Sequence, residues 1–293
     1  MLSIRDVTKR FGDRVVLDAV GFEVGDGRLT GFVGGNGAGK TTTMRILLGV
    51  LAADAGTVTI DGAPVRPADR RRFGYMPEER GLYPKMKVAE QIVYLGRLRG
   101  MAKPAAERAT AALLERLDLA ERADDYVEKL SLGNQQRAQI AAALVHSPEV
   151  LILDEPFSGL DPMAVETVLG VLTEQAARGV PVLFSSHQLD VVERLCDDLV
   201  IIADGRVRAS GPRDRLRAEN STPTWELVTR DDVAWIRDVP GVTVLDFAGG
   251  TALFEGDDAA AQTVGRRAVT EGAVVSFAPR LPTLTEIFRE VVR

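Results

Sequence analysis

The amino-acid sequence predicts an α/β fold: a large domain on a parallel sheet, followed by a small α+β unit. Three observations carry that expectation. From Val150 onward, strand-like and helix-like runs alternate, the pattern of parallel strands joined by helical crossovers. Near the start, a glycine-rich segment from Gly34 to Thr41 lies between a strand-length apolar run and a helix-forming run. Near the end, the polar run AENSTPT interrupts the pattern just before Trp225, and the residues beyond it read as a βαββαβ unit. A chain of 293 residues has room for one domain of roughly 200 residues and a smaller appendage. The expected division is 1–219 and 220–293.

In order along the chain, residues 2 to 60 hold β-type runs (Val20 to Val24, Leu29 to Val33, Thr57 to Ile60) broken by Gly-Asp and Asp-Gly pairs that favour tight turns. After the helix-forming run Thr42 to Leu48, the residues Val88, Ile92, Leu95 and Leu98 recur at helical spacing. Beyond Lys103-Pro104, Ala111, Leu114 and Leu117 do the same, so residues 87 to 122 read as helical. A further helical run covers Ala138 to Val145. The alternating part then comprises a strand at Val150 to Leu153, a helix near Ala164 to Arg178 stopped by Gly179, a strand at Val180 to Phe184, a helix at Leu189 to Leu195 and a strand at Leu199 to Ala203. Asp204-Gly205 reads as a two-residue hairpin turn into Arg206 to Ala209. The C-terminal unit reads as strand 225 to 229, helix 231 to 237, strands 242 to 247 and 251 to 255, helix 258 to 271, strand 273 to 278 and a last helix from Thr283.

Composition excludes several classes. With 45% apolar and 27% charged residues the chain is neither disordered nor fibrous. The 36 basic against 42 acidic residues give a net charge of −6, so no nucleic-acid partner is expected. Cys196 is the only cysteine and has no intrachain partner, and the opening MLSIRDVTKRF lacks the apolar core of a signal peptide. A cytoplasmic location is expected. No window approaches the roughly 18 apolar residues of a membrane span, so membrane work would need spans from another chain.

The chemistry resides in two segments. Gly34-Gly35-Asn36-Gly37-Ala38-Gly39-Lys40-Thr41 fits G-x-x-x-x-G-K-[ST] between a strand and a helix. Glycines let the backbone N–H groups wrap phosphate oxygens, and the helix N-terminus adds a favourable dipole for an anion. Lys40 would reach the β and γ phosphates of ATP, and Thr41 would ligate Mg²⁺. The second segment, Val150-Leu151-Ile152-Leu153-Asp154-Glu155, is a buried-strand run ending in two carboxylates at the sheet edge where ligands bind. Asp154 suits Mg²⁺, and Glu155 suits orienting or deprotonating a water. Alone, such a pair also fits a solvated turn; beside the loop, it reads as catalytic.

Between them, Leu130-Ser131-Leu132-Gly133-Asn134-Gln135-Gln136-Arg137 resembles the signature L-S-G-G-Q-x-Q-R of the ATP-binding cassette (ABC) family. The order of parts agrees: phosphate loop, helical insert, signature, acidic strand, Ser158-Gly159-Leu160-Asp161, then His187 after a strand. The resemblance covers about residues 2 to 215. It implies a RecA-like core sheet, an antiparallel β subdomain and a helical subdomain at about 85–145, with a ferredoxin-like C-terminal unit. It also implies ATP and Mg²⁺ as cofactors. By the same resemblance Phe11 would stack on adenine, Gly34 to Thr42 would hold the phosphates, and His187 would contact the γ-phosphate. Two cassettes would pair head to tail, with Ser131 and Gly133 of one meeting the γ-phosphate at Lys40 of the other and Asp161 at their interface. On its own, Ser131 reads as a helix N-cap, a role compatible with the first.

Four positions depart from the family pattern. Leu132 replaces the first signature glycine, Asn134 the usual glutamine and Gly35 a frequent proline. Glu78 stands where most cassettes have a glutamine that meets Mg²⁺ and signals to the membrane partner. His146 and Cys196 have no catalytic neighbours in the sequence and read as structural. The stretch Pro77 to Tyr83 and the C-terminal unit are similar to the ATPase subunits of bacterial type-2 ABC exporters, including sodium-extrusion-like systems. The implied role is an ATPase that dimerises and drives a separate transmembrane permease from the inner face of the cell membrane. The alternative is a soluble cassette ATPase of DNA repair or translation. Only the 90 residues from 41 to 130 separate Lys40 from Ser131, with no long coiled coil and no zinc-binding cysteines, which disfavours it. A third reading, a nucleotide-binding regulator without turnover, fits poorly with the intact Asp154-Glu155 pair.

Overall fold

The computed structural model describes every residue except Arg80, Asn220 to Thr222, Gly272, Ala273, Leu281 and Arg293; the side chains of Asp190, Arg289, Glu290 and Val292 are also left aside. Arg80 of the Pro77-to-Tyr83 stretch, the centre of the expected domain boundary and the expected start of the last strand thus lie outside the described residues. The chain divides into two units, Met1–Arg213 with Val291–Arg293, and Asp214–Glu290.

In the first unit, β1 (Leu2–Phe11) and β2 (Arg14–Val24) pair antiparallel around Gly12, whose φ of 58° suits a residue without Cβ. Next, β3 (Leu29–Val33) is buried at every position, as a central strand covered on both faces must be. The glycine-rich loop leads into α1 (Lys40–Leu47), which starts two residues earlier than the sequence pattern suggests because Gly39, at φ 111°, turns the chain directly into the helix. Then come β4 (Ala55–Ile60) and β5 (Ala63–Pro64), which complete an antiparallel sheet of order β2-β1-β4-β5. After a 3₁₀ turn, Asp69–Arg72, come β6 (Phe73–Met76), α2 (Val88–Leu98) and α3 (Lys103–Arg116), whose Pro104 sits in the first turn where no N–H is missed. After two further 3₁₀ turns, Ala120–Arg122 and Val127–Lys129, the remaining elements of this unit are α4 (Leu132–Leu144), β7 (Val150–Leu153), α5 (Pro162–Ala177), β8 (Val182–Ser186), α6 (Leu189–Leu195), β9 (Asp198–Ala203) and β10 (Arg206–Pro212). Helix α7 (Arg213–Glu219) begins at its end.

Six strands form the core sheet in the order β10-β9-β3-β8-β7-β6. Strands β9, β3, β8, β7 and β6 run parallel, and only β10 is antiparallel to its neighbour. The Asp204-Gly205 turn that reverses the chain has φ of 51° and 72°, the paired positive values of a type I′ hairpin. One apolar cluster joins both sheets to α1: Leu2, Ile4 and Phe22 from the antiparallel sheet, Met44 and Leu47 from the helix, and Phe32, Ile152, Leu183 and Ile202 from the core sheet. Each such side chain contributes roughly 1.5–3 kcal/mol by leaving water. This core fixes the phosphate loop, because both of its flanking elements, β3 and α1, are pinned in it.

The second unit holds β11 (Thr224–Thr229), β12 (Thr243–Ala248), β13 (Thr251–Glu255), α8 (Asp258–Glu271), β14 (Val274–Pro279) and α9 (Leu284–Val292). All strand pairs are antiparallel, in the order β12-β13-β11-β14, the ferredoxin-like arrangement. One element differs from expectation: instead of an α-helix at 231 to 237 there is a 3₁₀ helix, Ala234–Asp238. Its buried residues explain the choice, since Val233, Ile236 and Val239 recur every third position, the 3₁₀ period, and Pro240 forbids extension.

Candidate functional site

Strand register sets the geometry. Val33 lies opposite Ser186 and Ile201, while Leu153 lies opposite Met76 and Phe184. The carboxyl ends of β3, β6, β7 and β8 therefore stand side by side at one sheet edge. From them the chain leaves into Gly34, Pro77-Glu78, Asp154-Glu155 and His187, the place where open α/β sheets bind ligands.

The loop from Gly34 is shaped by local sterics. A Cβ at Gly34 would approach the Ile202 carbonyl to 2.5 Å, and Gly37 and Gly39 adopt φ of 77° and 111°. Ala38 N donates to Gly35 O at 3.2 Å, and Thr43 N to Gly39 O at 2.9 Å, so the loop closes tightly onto the helix start. Lys40, only 9% exposed, turns back and donates to Gly34 O at 2.6 Å and Gly35 O at 3.3 Å. A cavity of about 500 Å³ lies over this loop, lined by Gly35 to Thr42 together with Phe11, Arg14, Val16 and Glu78. Phe11 is 51% exposed, with Lys9 Nζ 5.7 Å from its ring centroid, and so offers a flat apolar face at the cavity wall.

Beside the loop, Thr41 Oγ1 donates to Asp154 Oδ2 at 3.1 Å, and Ser185 Oγ donates to Asp154 Oδ1 at 2.5 Å. Asp154 is fully buried, and these two hydroxyls satisfy it. Thr41 and Asp154 together present two hard oxygen donors. Among the described residues no group of three His, Cys, Asp or Glu could cage a metal alone. The Thr41 and Asp154 oxygens would suit Mg²⁺, which takes one or two protein oxygens and completes its shell with phosphate and water. Glu155 N donates to Ser185 Oγ at 2.9 Å, and His187 Nδ1 lies 3.0 Å from Glu155 Oε2.

The remaining expected residues stand apart from the cavity. Ser131 is the N-cap of α4, accepting from Asn134 N at 3.3 Å, and Asp161 is the N-cap of α5, accepting from Ala164 N at 2.8 Å. Gly133 packs beside Gly159 and Leu160: a Cβ there would come within 3.4 Å of Gly159 O. None of the three lines the cavity over the phosphate loop.

Three contributors escape a reading of the sequence. Ser185 holds Asp154 and the Glu155 peptide together; its only signal was two serines closing an apolar strand. Gln136, buried on α4, donates from Nε2 to Glu155 O at 2.7 Å. Gly205 braces the loop from the β9–β10 turn, its N donating to Ala38 O at 3.2 Å while its O accepts from Asp18 N at 2.8 Å. His146 and Cys196 lie away from this edge. Burial pushes the Cys196 thiol up to about 12, which makes it unreactive.

Comparison with known proteins agrees with this architecture. Residues 17–158 match the family model described as ABC transporter, and residues 211–292 match the C-terminal domain of DrrA1-3-like ATP-binding proteins. Residues 126–193 also match an AAA domain described as a putative AbiEii toxin of a type IV toxin–antitoxin system. The ABC transporter ATP-binding protein YhaQ of Bacillus subtilis is 38% identical over 293 residues, covering 100% of this chain and 98% of that one. The Nod factor export ATP-binding protein I of Burkholderia lata is 42% identical over 213 residues, 72% of this chain and 70% of that one. Among solved structures, an ATP-binding subunit of an ABC transporter superposes with a TM-score of 0.69 at 34% identity, covering 75% of this chain and 92% of the other. A nucleotide-free ATP-binding cassette from an ABC transporter gives 0.64 at 26% identity, covering 72% and 91%.

Proposed function

Because the chain belongs to the family of ABC transporter ATP-binding proteins, ATPases by family, we propose that it powers an exporter: two cassettes close on ATP and drive a separate transmembrane permease. The observation that carries this reading is the convergence of Lys40, Thr41, Asp154, Glu155 and His187 at the edge of three adjacent parallel strands.

On ATP binding, Lys40 exchanges the carbonyls of Gly34 and Gly35 for β- and γ-phosphate oxygens, while the loop's N–H groups and the α1 N-terminus take the rest of the charge. Phe11 offers its exposed ring to the adenine. Thr41 and Asp154 would hold Mg²⁺, and Glu78 lines the same cavity as Thr41. The ion, when bound, neutralises charge developing on the phosphates. Glu155 orients the attacking water and accepts its proton, and His187 contacts the γ-phosphate from the exposed side. The other half of the site comes from Ser131 and Gly133 of the second cassette, with Asp161 at the shared interface. Since only the closed dimer completes the site, ATP stabilises closure and hydrolysis releases it, and this differential affinity is the source of work.

The export direction is supported by the printed role of the Nod factor relatives. No helix among the described residues is long and apolar enough to cross a membrane. A permease would therefore supply the spans, with this subunit at the cytoplasmic face of the membrane. Affinity purification from detergent-solubilised membranes tests the assignment. The expected result is co-purification of a protein with about six apolar segments; recovery with ribosomes or DNA instead would return the chain to the soluble class.

A further inference from the structure

Glu155 adopts φ 53°, a left-handed conformation that costs a residue with a Cβ and persists only where its surroundings over-determine it. Hydrogen bonds hold it on both sides. Its N–H donates to Ser185 Oγ at 2.9 Å, and its carbonyl accepts from Gln136 Nε2 at 2.7 Å and from Ser158 N at 3.2 Å. Ser185 belongs to the neighbouring strand β8 and Ser158 to the turn after Glu155 itself. Gln136 comes from elsewhere: it is 9% exposed on α4, the helix that Ser131 caps five residues earlier. The amide thus ties the peptide that aims the carboxylate to a rigid helix whose first turn carries the signature residues.

We propose that Gln136 is a positioning residue for ATP hydrolysis, holding Glu155 in its left-handed conformation and so fixing the direction of its carboxylate from the signature helix. The proposal rests on the reading of Glu155 as the group that activates water. It also gives the two half-sites a physical link within one chain. The N-terminus of α4 carries Ser131, assigned to the partner's γ-phosphate, and Gln136, one and a half turns on, sets the carboxylate of this chain's own site. A shift of α4 on engaging the partner's nucleotide would be felt at Glu155 without passing through the phosphate loop.

The test uses the full-length chain. Gln136→Met keeps length and volume but removes the donor, and Gln136→Glu sets an acceptor against a carbonyl. In both, kcat is expected to fall roughly ten- to hundred-fold, as a small misplacement of a reacting group does. ATP affinity, measured by direct binding, stays within about two-fold of the wild-type chain. Placed in a Glu155→Gln background, Gln136→Met lowers the residual turnover no further, because its effect runs through that carboxylate. A wild-type kcat in Gln136→Met, a loss of ATP affinity in step with kcat, or a further fall in the double variant would each overturn the proposal. Failure of the underlying reading looks different: Glu155→Gln alone would then hydrolyse ATP at the wild-type rate.

Discussion

His187 Nδ1 stands 3.0 Å from Glu155 Oε2, and the two side chains straddle the solvent boundary, the histidine 58% and the carboxylate 8% exposed. A buried, backbone-anchored carboxylate is thereby paired with an exposed imidazole. Glu155→Gln keeps the volume and a contact to His187 but removes the ability to take a proton. Turnover should fall about 10²- to 10⁴-fold while ATP binding persists. Size-exclusion chromatography with ATP should then show a stable dimer; a variant that stays monomeric and turns over normally would separate Glu155 from the chemistry.

Lys40 is poised rather than idle, since its ammonium already sits on two loop carbonyls in a buried setting. Lys40→Ala removes charge-assisted hydrogen bonds of about 1.5–3 kcal/mol, so ATP binding should weaken roughly 10- to 150-fold. Equilibrium binding of a fluorescent ATP analogue measures this; unchanged affinity would contradict the assignment.

What was legible in the sequence was what is locally encoded. The phosphate loop and the strand ending in Asp154-Glu155 were readable because glycines and an apolar run with terminal acids carry their own geometry. Helix α4 was legible only in part: Ser131 reads as an N-cap and Ala138 to Val145 as a helical run, but Gly133, Asn134 and the glutamines between them carry no apolar period. In the fold Ser131 caps the helix from Leu132, and Gln135, Gln136 and Gln139 are buried by tertiary packing. Strand β8 likewise runs to Ser186, two residues past the apolar run, because Val33 of β3 pairs with it. The same non-locality hid Ser185 and Gln136, whose partners lie 30 and 19 residues away.

Gly205 joins the β9–β10 turn to the phosphate loop. Its φ is 72°, and an added Cβ would meet Val16 O at 2.3 Å. Gly12 provides the comparison, at φ 58° with nothing within 4 Å of an added Cβ. Both alanine variants carry backbone strain of about 1–2 kcal/mol, but only Gly205→Ala must also displace the β2 backbone at Val16 and Leu17, straining the bond from Gly205 N to Ala38 O. Thermal unfolding should show the larger loss in Gly205→Ala, accompanied by weaker ATP binding, whereas Gly12→Ala should bind ATP normally. Equal unfolding temperatures for the two would mean that the turn does not brace the loop.

His146 makes stability depend on pH. Nε2 lies 3.1 Å from Phe73 O, and Nδ1 is buried with no hydrogen-bond partner. The neutral ring donating through Nε2 is the form that fits, since a proton on Nδ1 would have no acceptor. Burial lowers the pKa of the ring below its usual value, with the charge of Arg99 acting in the same direction and the contact to Phe73 O against both. As pH falls, the unfolded chain therefore takes up the proton first. Stability from this group is whole above about pH 6.5 and is lost below it until the folded ring also titrates. His146→Gln keeps a donor for Phe73 O and cannot titrate. Its unfolding temperature should fall less steeply than that of the wild-type chain between about pH 7 and pH 5. Parallel slopes would show that the ring at His146 is protonated equally easily in both states, and that its burial carries no electrostatic consequence.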